Sequence, residues 1–271
     1  MAEDTWSSGA AYDGYIGRWS RPVADHFVPW LEPQADADWI DVGCGSGALT
    51  RTILWSADPA RVLGVDPSAD FVDHARHTVG DDRSEFVVGD GTKLPAANDS
   101  ADYVVSGLVL NFIPDPDAAL AEMSRVAKPG GTIAAYVWDY AEGMQMLRAF
   151  WDAAVALDPG VAALDESARF PLCRPEPLRR LFDAAGLAGV EQCDITVATP
   201  FVDFDDYWKP FLSGQGPAPG YCATLAPPDL ERLRDRLREE LSPAGGPIDL
   251  MARAWAVKGT RSTDPAVATR G

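Results

Sequence analysis

Apolar runs alternate with amphipathic segments through the first half of the chain. Five runs are short, bounded by polar or glycine-rich residues and rich in valine and isoleucine, which is typical of buried strands. Between them, apolar residues recur every three or four positions, which predicts helices packed on those strands. Because parallel neighbours need a crossover helix, the alternation predicts an α/β domain with a parallel sheet. The five predicted strands are DWIDV (38–42), RVLGVD (61–66), EFVVGD (85–90), ADYVVSGLVL (101–110) and TIAAYVW (132–138).

The second half of the chain is less regular. Helical spacing predicts helices over 144–157 and 175–187, and alternation predicts a sixth strand at 190–199 and a seventh at 248–259. Residues 200–247 lie between these last two strands and are rich in aromatic residues, proline and glycine. A connection of this length is often functional, so we interpret it as a lid insertion.

Three shorter segments complete the predicted organisation of a single domain over residues 1–271. SGQGPAPG (213–220) is interpreted as a flexible hinge, with an ordinary loop as the alternative. Leucines at helical spacing in 230–241 predict an amphipathic surface helix. The tail, 260–271, is predicted to be flexible.

Composition and charge narrow the class of protein. A hydrophobic content of 46% in 271 residues excludes a disordered chain. The net charge of −18 would repel phosphate backbones, so we expect no nucleic-acid partner. The sequence has no run of about 18 apolar residues, so we expect no membrane partner either. The acidic N-terminal segment lacks the apolar core of a secretion signal. Cysteines without metal-site spacing predict reduced thiols and a cytoplasmic protein; they are Cys44, Cys173, Cys193 and Cys222.

The glycine-rich stretch WIDVGCGSGALT (39–50) follows the first predicted strand. Glycines between a strand and a helix let a ligand approach backbone N–H groups at the helix N-terminus. Gly43, Gly45 and Ala48 fit the G-x-G-x-x-G/A dinucleotide pattern, and Asp66 follows Gly43 by 66 − 43 = 23 residues. The loop alone therefore leaves an NAD-dependent oxidoreductase open.

Further motifs follow the loop in order. An acid, Asp41, precedes the first glycine by two residues, and Gly47 adds a third glycine. With the motifs given below, residues 35–140 resemble the class I S-adenosylmethionine-dependent methyltransferases, of the ubiquinone/menaquinone-biosynthesis (methyltransferase-11) type. The resemblance implies a Rossmann-like, mostly parallel seven-stranded sheet with an antiparallel last strand, helices on both faces and a helical cap or lid. The motifs are VLGVDPS (62–68), VVGDGTKLP (87–95), ADYVVSGLVLNFIPD (101–115) and LAEMSRVAKPGG (120–131).

The resemblance implies S-adenosylmethionine as cofactor and S-adenosylhomocysteine as product. Asp66 would bind the two ribose hydroxyls, and Asp90, beside the Gly91 backbone, would accept from the adenine amino group. We assign Asp41 to the cationic amino-acid head, with a loop-capping acid as the alternative. This cofactor has no phosphate, and 39–50 contain no Lys or Arg. The cofactor-binding residues predicted in the core are Asp41, Gly43, Gly45, Gly47, Asp66, Pro67, Asp90, Gly91, Ser106 and Leu108.

The N-terminal segment 12–32 resembles the leading cap helix of that methyltransferase subgroup. Tyr12, Tyr15 and Arg18 are predicted to bind the methionine carboxylate or cover the site, with packing as the alternative. Asn111 and Phe112 stand where a histidine pair is common in the family. That departure leaves the class of methyl acceptor open.

Catalytic residues are harder to predict, because methyl transfer is an in-line displacement that depends chiefly on alignment. An acceptor that needs a base could use Asp139, Tyr140 or Glu142, which follow the fifth predicted strand. The histidines fall on predicted helices and are interpreted as structural or surface residues; they are His26, His74 and His77.

An apolar or aromatic small molecule is the predicted methyl acceptor. Its predicted binding residues are Trp138, Phe204, Tyr207, Trp208 and Phe211, although helical spacing of the last four also fits core packing. The sequence thus predicts methyl transfer to an O, N, S or C atom. The alternatives are a cofactor-binding protein with a cyclase or regulatory role, and the NAD-dependent oxidoreductase. The oligomeric state is left open, with a homodimer as one option.

Overall fold

A seven-stranded sheet organises the chain in the computed structural model, which describes residues 17–214 and 216–263. The strands are β1 (Asp38–Val42), β2 (Arg61–Asp66), β3 (Ser84–Val88), β4 (Ala101–Gly107), β5 (Ala127–Trp138), β6 (Ala188–Phe201) and β7 (Ile248–Thr260). Their order is β3-β2-β1-β4-β5-β7-β6, and β1 to β5 run parallel. Gly130 N–H donates to Arg261 O and Arg261 N–H to Gly131 O, which joins β5 to an antiparallel β7. The predicted sheet is confirmed.

Helices connect the strands as the apolar spacing predicts. Ser68 caps the third helix by accepting from Phe71 N–H, and Asp115 caps the fourth by accepting from Ala118 N–H. Among the described residues, no helix has the length and hydropathy needed to cross a bilayer. The helices are α1 (Ser20–Trp30), α2 (Ala48–Ser56), α3 (Ala69–Val79), α4 (Pro116–Val126), α5 (Gln145–Leu157), α6 (Glu166–Arg169), α7 (Pro175–Ala184), α8 (Phe204–Trp208), α9 (Pro217–Thr224) and α10 (Pro227–Leu241), with 3₁₀ turns at Gly17–Trp19, Leu110–Phe112, Pro159–Leu164 and Lys209–Leu212.

The register of the central strands places their carboxyl ends together. On β1, Asp41 pairs with Gly64 of β2 and with Val105 of β4. Because these strands are parallel, the loops that follow them leave the same edge of the sheet. Ligands of open α/β sheets bind at this edge, where neighbouring connections diverge.

The chain divides into two compact units. The sheet unit comprises 20–137, 174–195 and 254–263 among the described residues. In its core, Trp39 stacks on Tyr103 with ring centroids 4.2 Å apart, and Phe27 lies 4.6 Å from Tyr136. These aromatic pairs bury large apolar areas on the sheet.

The second unit is here called the aromatic unit, and among the described residues it comprises 17–19, 138–173 and 196–253. Phe150 of α5 stacks on Phe211 at 4.5 Å, and the Tyr207 hydroxyl donates to Met146 O at 3.0 Å. Leu233 and Leu237 of α10 are buried, as the predicted amphipathic surface helix requires. The segment between β6 and β7 therefore contributes to a hydrophobic core of its own unit.

Two local predictions were wrong. The predicted hinge 213–220 contains the start of α9, where Pro217 follows the N-cap Gly216. Proline near a helix N-terminus favours the helix, because its missing N–H would have no partner there. The fifth strand also begins at Ala127 rather than after Gly131, and its register with β4 shifts between Ala101 and Tyr103. The PGG segment (129–131) therefore lies within β5, where the pairing with β4 is irregular.

The described part of the predicted N-terminal cap segment, 12–32, contains a 3₁₀ turn and helix α1. The helix begins at Ser20 and ends at Trp30, after the 3₁₀ turn at Gly17–Trp19. Residues 12–16, which include Tyr12 and Tyr15, lie outside the described residues. The last eight residues of the predicted tail do so as well.

Candidate cofactor-binding site

The loop between β1 and α2 depends on glycine at three alternate positions. Gly43, Gly45 and Gly47 have φ of 75°, 50° and 84°, a left-handed conformation that disfavours side chains. A Cβ at Gly43 would lie 2.4 Å from Val109 Cγ1, and one at Gly47 would lie 2.7 Å from Val79 Cγ2. Two of the glycines therefore also permit close packing within the sheet unit.

Gly45 differs, because space lies beside it. The nearest heavy atom to a Cβ built there is Phe71 Cδ1 at 4.0 Å. Its N–H donates to Asp66 Oδ2 at 3.0 Å. The middle of the loop is therefore held by the acid at the end of β2 and leaves room for a ligand to approach.

Asp66 is buried at the carboxyl end of β2 and is held by two backbone donors. Besides the bond from Gly45, its Oδ1 accepts from Ser68 N–H at 2.9 Å. Burial raises the pKa of the Asp66 carboxyl, and these two hydrogen bonds oppose the rise. Each carboxylate oxygen can accept a second hydrogen bond, so the oriented carboxylate retains the capacity to bind a pair of hydroxyls.

Asp41 is fully buried and carries an oxygen without a partner. Its Oδ2 accepts from the Thr50 hydroxyl at 2.6 Å, whereas Oδ1 has no hydrogen-bond partner among the described residues. The pKa of Asp41 is raised to about 7: burial is the main cause and the nearby Asp66 contributes, while the hydroxyl and N–H of Thr50 oppose the rise. A buried acceptor without a donor is costly, so Oδ1 fits a ligand that brings a donor or a positive charge.

Helix α2 begins directly after the glycines. Gly47 is its N-cap residue, and no side chain caps the first turn. N–H groups at a helix N-terminus favour an anionic ligand group. The loop thus offers an acceptor for a cation at Asp41 and donors for an anion at α2, which suits the ammonium and carboxylate of an amino acid.

The loop after β3 carries the acid predicted to contact adenine. Asp90 is exposed, and its Oδ1 accepts from both the N–H and the hydroxyl of Thr92, at 2.8 and 2.9 Å. These bonds lower the pKa of the Asp90 carboxyl. A Cβ at Gly91 would lie 3.1 Å from Ile113 Cδ1, so the loop packs tightly there. Pro67, in the preceding loop, is exposed.

The two predicted residues near the end of β4 are both buried. Because Asp41 pairs with Val105, the neighbouring Ser106 projects from the opposite face of the sheet. The Ser106 hydroxyl is buried and has no partner among the described residues, so a contact with a ligand at the Asp41 face would use its backbone. Leu108 has φ of 63°, and its N–H donates to Tyr136 O at 2.8 Å.

Arg18 lies in the aromatic unit and already has partners there. Its Nη1 is 2.9 Å from Asp206 Oδ1, and its guanidinium lies over the rings of Trp19 and Phe201 at 4.3 and 4.7 Å. This geometry matches the packing alternative for Arg18. Its contact with a cofactor carboxylate stays a prediction.

The base candidates after β5 also lie in the aromatic unit. Asp139 is buried, with Oδ2 2.6 Å from Arg253 Nη2 and Oδ1 accepting from the N–H groups of Ala141 and Glu142. The Glu142 side chain is exposed. Tyr140 is buried and packs against a neighbouring ring. The Asp139 carboxylate thus stabilises the turn after β5, and catalysis by any of the three stays a prediction.

The predicted acceptor residues are buried among one another. Phe204 and Trp208 are near-parallel with centroids 6.4 Å apart, and Tyr207 lies 5.3 Å from Phe211. Trp138 is buried, and its indole N–H has no partner among the described residues. Core packing therefore accounts for the four residues at helical spacing, and contact with an acceptor stays a prediction.

Comparisons with known proteins agree with this geometry. Residues 40–135 match a family described as a methyltransferase domain. Over 167 residues, the chain is 34% identical to the demethylmenaquinone methyltransferase of Roseiflexus sp. (strain RS-1), covering 56% of this chain and 68% of that enzyme. The chain belongs to the class I S-adenosylmethionine-dependent methyltransferases. The resemblance of its motifs to this family is confirmed.

A second relative and a solved structure are also similar to this chain. The malonyl-[acyl-carrier protein] O-methyltransferase of Hahella chejuensis is 34% identical over 133 residues, which are 49% of this chain and about half, 47%, of that enzyme. The structure of a putative methyltransferase from Bacillus halodurans C-125 has a TM-score of 0.58 and 15% identity, covering 89% of this chain and 99% of that one. The similarity to the Bacillus structure supports the fold alone. The Roseiflexus and Hahella enzymes are named for different methyl acceptors.

Proposed function

We propose that this methyltransferase family member binds S-adenosylmethionine at the β1–α2 loop and transfers its methyl group to a small molecule. The buried, unpartnered Oδ1 of Asp41 carries the proposal. The cofactor's ammonium would be held by Asp41, its carboxylate by the start of α2, its ribose by Asp66, and its adenine by Asp90 and Gly91. Each of these groups of the cofactor would then meet a residue with complementary hydrogen-bonding capacity.

The same residues disfavour a nicotinamide dinucleotide. A pyrophosphate is anionic, and it would lie beside the two buried carboxyl groups Asp41 and Asp66. Like charges in a site of low dielectric repel strongly. Moreover, no Lys or Arg occurs in 39–50 to offset that repulsion. A ligand with a positive charge is the better match.

S-adenosylmethionine supplies a methyl group on positively charged sulfur, which makes the reaction an in-line displacement. The contribution of the protein is to hold the acceptor in line and to exclude water, and alignment alone can lower the barrier by roughly 7–11 kcal/mol. We propose an apolar or aromatic acceptor because the residues predicted to bind it, Trp138 and four residues within 204–211, are all aromatic.

Calorimetric titration tests the proposal directly. We expect saturable binding of S-adenosylmethionine and S-adenosylhomocysteine and no binding of NADH. A screen of phenols, quinones and small acids should then yield S-adenosylhomocysteine together with a methylated product. Cofactor binding without methyl transfer to any acceptor would favour the regulatory or cyclase alternative, and NADH binding would overturn the assignment of the site.

The Asp66→Ala variant should bind S-adenosylmethionine more weakly by roughly 1.5–3 kcal/mol, because the charge-assisted bonds to the ribose are lost. The loop also loses its tie from Gly45 N–H. Calorimetry on the folded variant measures the change in dissociation constant. Asp73→Ala, at an exposed acid of α3, is the matched control and should leave the constant unchanged. Equal affinities for both variants would remove Asp66 from the site.

A further inference from the structure

We infer that Thr50 is a positioning residue for the cofactor: its hydroxyl fixes one oxygen of Asp41 so that the other, Oδ1, can accept from the cofactor's amino group. The inference rests on the proposed function. Thr50 lies within the glycine-rich stretch quoted above, but neither its spacing nor its residue type assigns it a role, since its partner is nine residues away on another element.

The geometry of the pair is specific. Both side chains are fully buried, and Thr50 Oγ1 lies 2.6 Å from Asp41 Oδ2, a distance typical of a hydroxyl that donates to a carboxylate. A threonine inside a helix commonly donates to the carbonyl four residues earlier. Here the single hydroxyl proton of Thr50 is directed to a strand residue instead. The bond fixes the rotation of the Asp41 carboxyl group and leaves Oδ1 without a partner.

The bond also favours the charged form of Asp41. Burial and the charge of Asp66, on β2, both favour the neutral form, and the Thr50 hydroxyl, on α2, opposes them. Burial raises the pKa of the Cys44 thiol in the loop, which keeps that group neutral, and the register partner on β4 is the uncharged Val105. Loss of the hydroxyl would therefore raise the pKa of Asp41 and leave less of the carboxylate that binds an ammonium.

The pH dependence of cofactor binding follows from the ionisation of Asp41. In the cofactor-free protein the Asp41 carboxyl has a pKa of about 7, so it is neutral in acid and ionised in base. A cationic ligand group selects the ionised form, and binding below about pH 8 should therefore release protons. A variant with a higher Asp41 pKa should lose affinity most at low pH and least at high pH.

The test compares Thr50→Val with the wild type by calorimetry from pH 6 to pH 8. If the pKa of Asp41 rises by about one unit, the ratio of the two dissociation constants should fall from about tenfold at pH 6 to about twofold at pH 8. The ratio is used because protonation of the cofactor's own amino group affects both proteins equally. Titrations at pH 7 in two buffers of different ionisation enthalpy should show about 0.4 more proton released by the variant.

Two further variants distinguish positioning from a structural effect. Thr52→Val removes a buried hydroxyl from the same helix, one that donates to Asp25 Oδ1 at 3.1 Å, and should keep the wild-type pH profile. Thr50→Ser retains a hydroxyl and should restore the profile, which also covers the case in which Thr50→Val does not fold. If Thr50→Val binds the cofactor with the wild-type pH profile, the inference is overturned while the proposed function stands. If Thr50→Val does not fold, a Thr50→Ser profile that departs from the wild type has the same consequence. A wild-type protein that does not bind S-adenosylmethionine would overturn both.

Discussion

We expect the Gly45→Val variant to lose S-adenosylmethionine binding, with a dissociation constant raised by at least about 100-fold, which corresponds to roughly 2.7 kcal/mol. Two effects act together. A Cβ at Gly45 would lie 4.0 Å from its nearest contact, Phe71 Cδ1, so a side chain there would extend into the space left for the ligand. A β-branched residue also disfavours the left-handed φ of 50°, so the loop would shift and weaken the bond from Gly45 N–H to Asp66.

Gly80→Val is the matched control for backbone strain. Gly80 has φ of 60°, ends α3, and has nothing within 4 Å of a built Cβ. Both variants should lose a similar amount of stability, about 1–2 kcal/mol, because both force valine into the left-handed region. Circular dichroism should show a native-like fold for both, and calorimetry should show cofactor binding only for Gly80→Val. Binding by Gly45→Val at wild-type affinity would show that the ligand does not approach this loop.

The fold could be predicted from the sequence where burial alone determines the pattern. The bounds of β1 and β2 agree with the predicted ones, because strands covered on both faces are continuous apolar runs between polar residues. The start of β5 at Ala127 could not be predicted, since Pro129 and the two glycines after it are equally typical of a turn. Likewise, proline and glycine in 213–220 suit both a hinge and a helix start, and only the packing of α9 selects the helix.

The candidate site could likewise be predicted only where its features are local in the sequence. Its glycines and acids could be found from the sequence because the loop and the motif after β2 are local features whose spacing the backbone dictates. The bond between Thr50 and Asp41 depends on how α2 packs on β1, and the ion pair between Asp139 and Arg253 joins residues 114 positions apart. Sequence spacing carries no signal for either contact. The acceptor residues were ambiguous for another reason: aromatic residues at helical spacing suit a pocket wall and a hydrophobic core equally.

That ambiguity has a direct test at Phe211. We expect Phe211→Ala to lower the free energy of unfolding by about 3–5 kcal/mol, because truncating a fully buried aromatic residue removes its burial and leaves a cavity. The ring stacks on Phe150 at 4.5 Å with an interplanar angle of 10°, so the variant also loses an aromatic pair. Urea unfolding followed by tryptophan fluorescence measures the change.

The neighbouring residue provides the control that separates core packing from contact with the acceptor. Leu212 is 55% exposed, so Leu212→Ala should change stability by less than about 0.5 kcal/mol. Since 204–212 lie outside every cofactor motif, folded Phe211→Ala should bind S-adenosylmethionine as the wild type does. A variant with wild-type stability and a raised KM for the methyl acceptor would contradict the core role. That outcome would place Phe211 in the wall of the acceptor pocket instead, since a ring that contacts only the substrate contributes to substrate binding and not to folding.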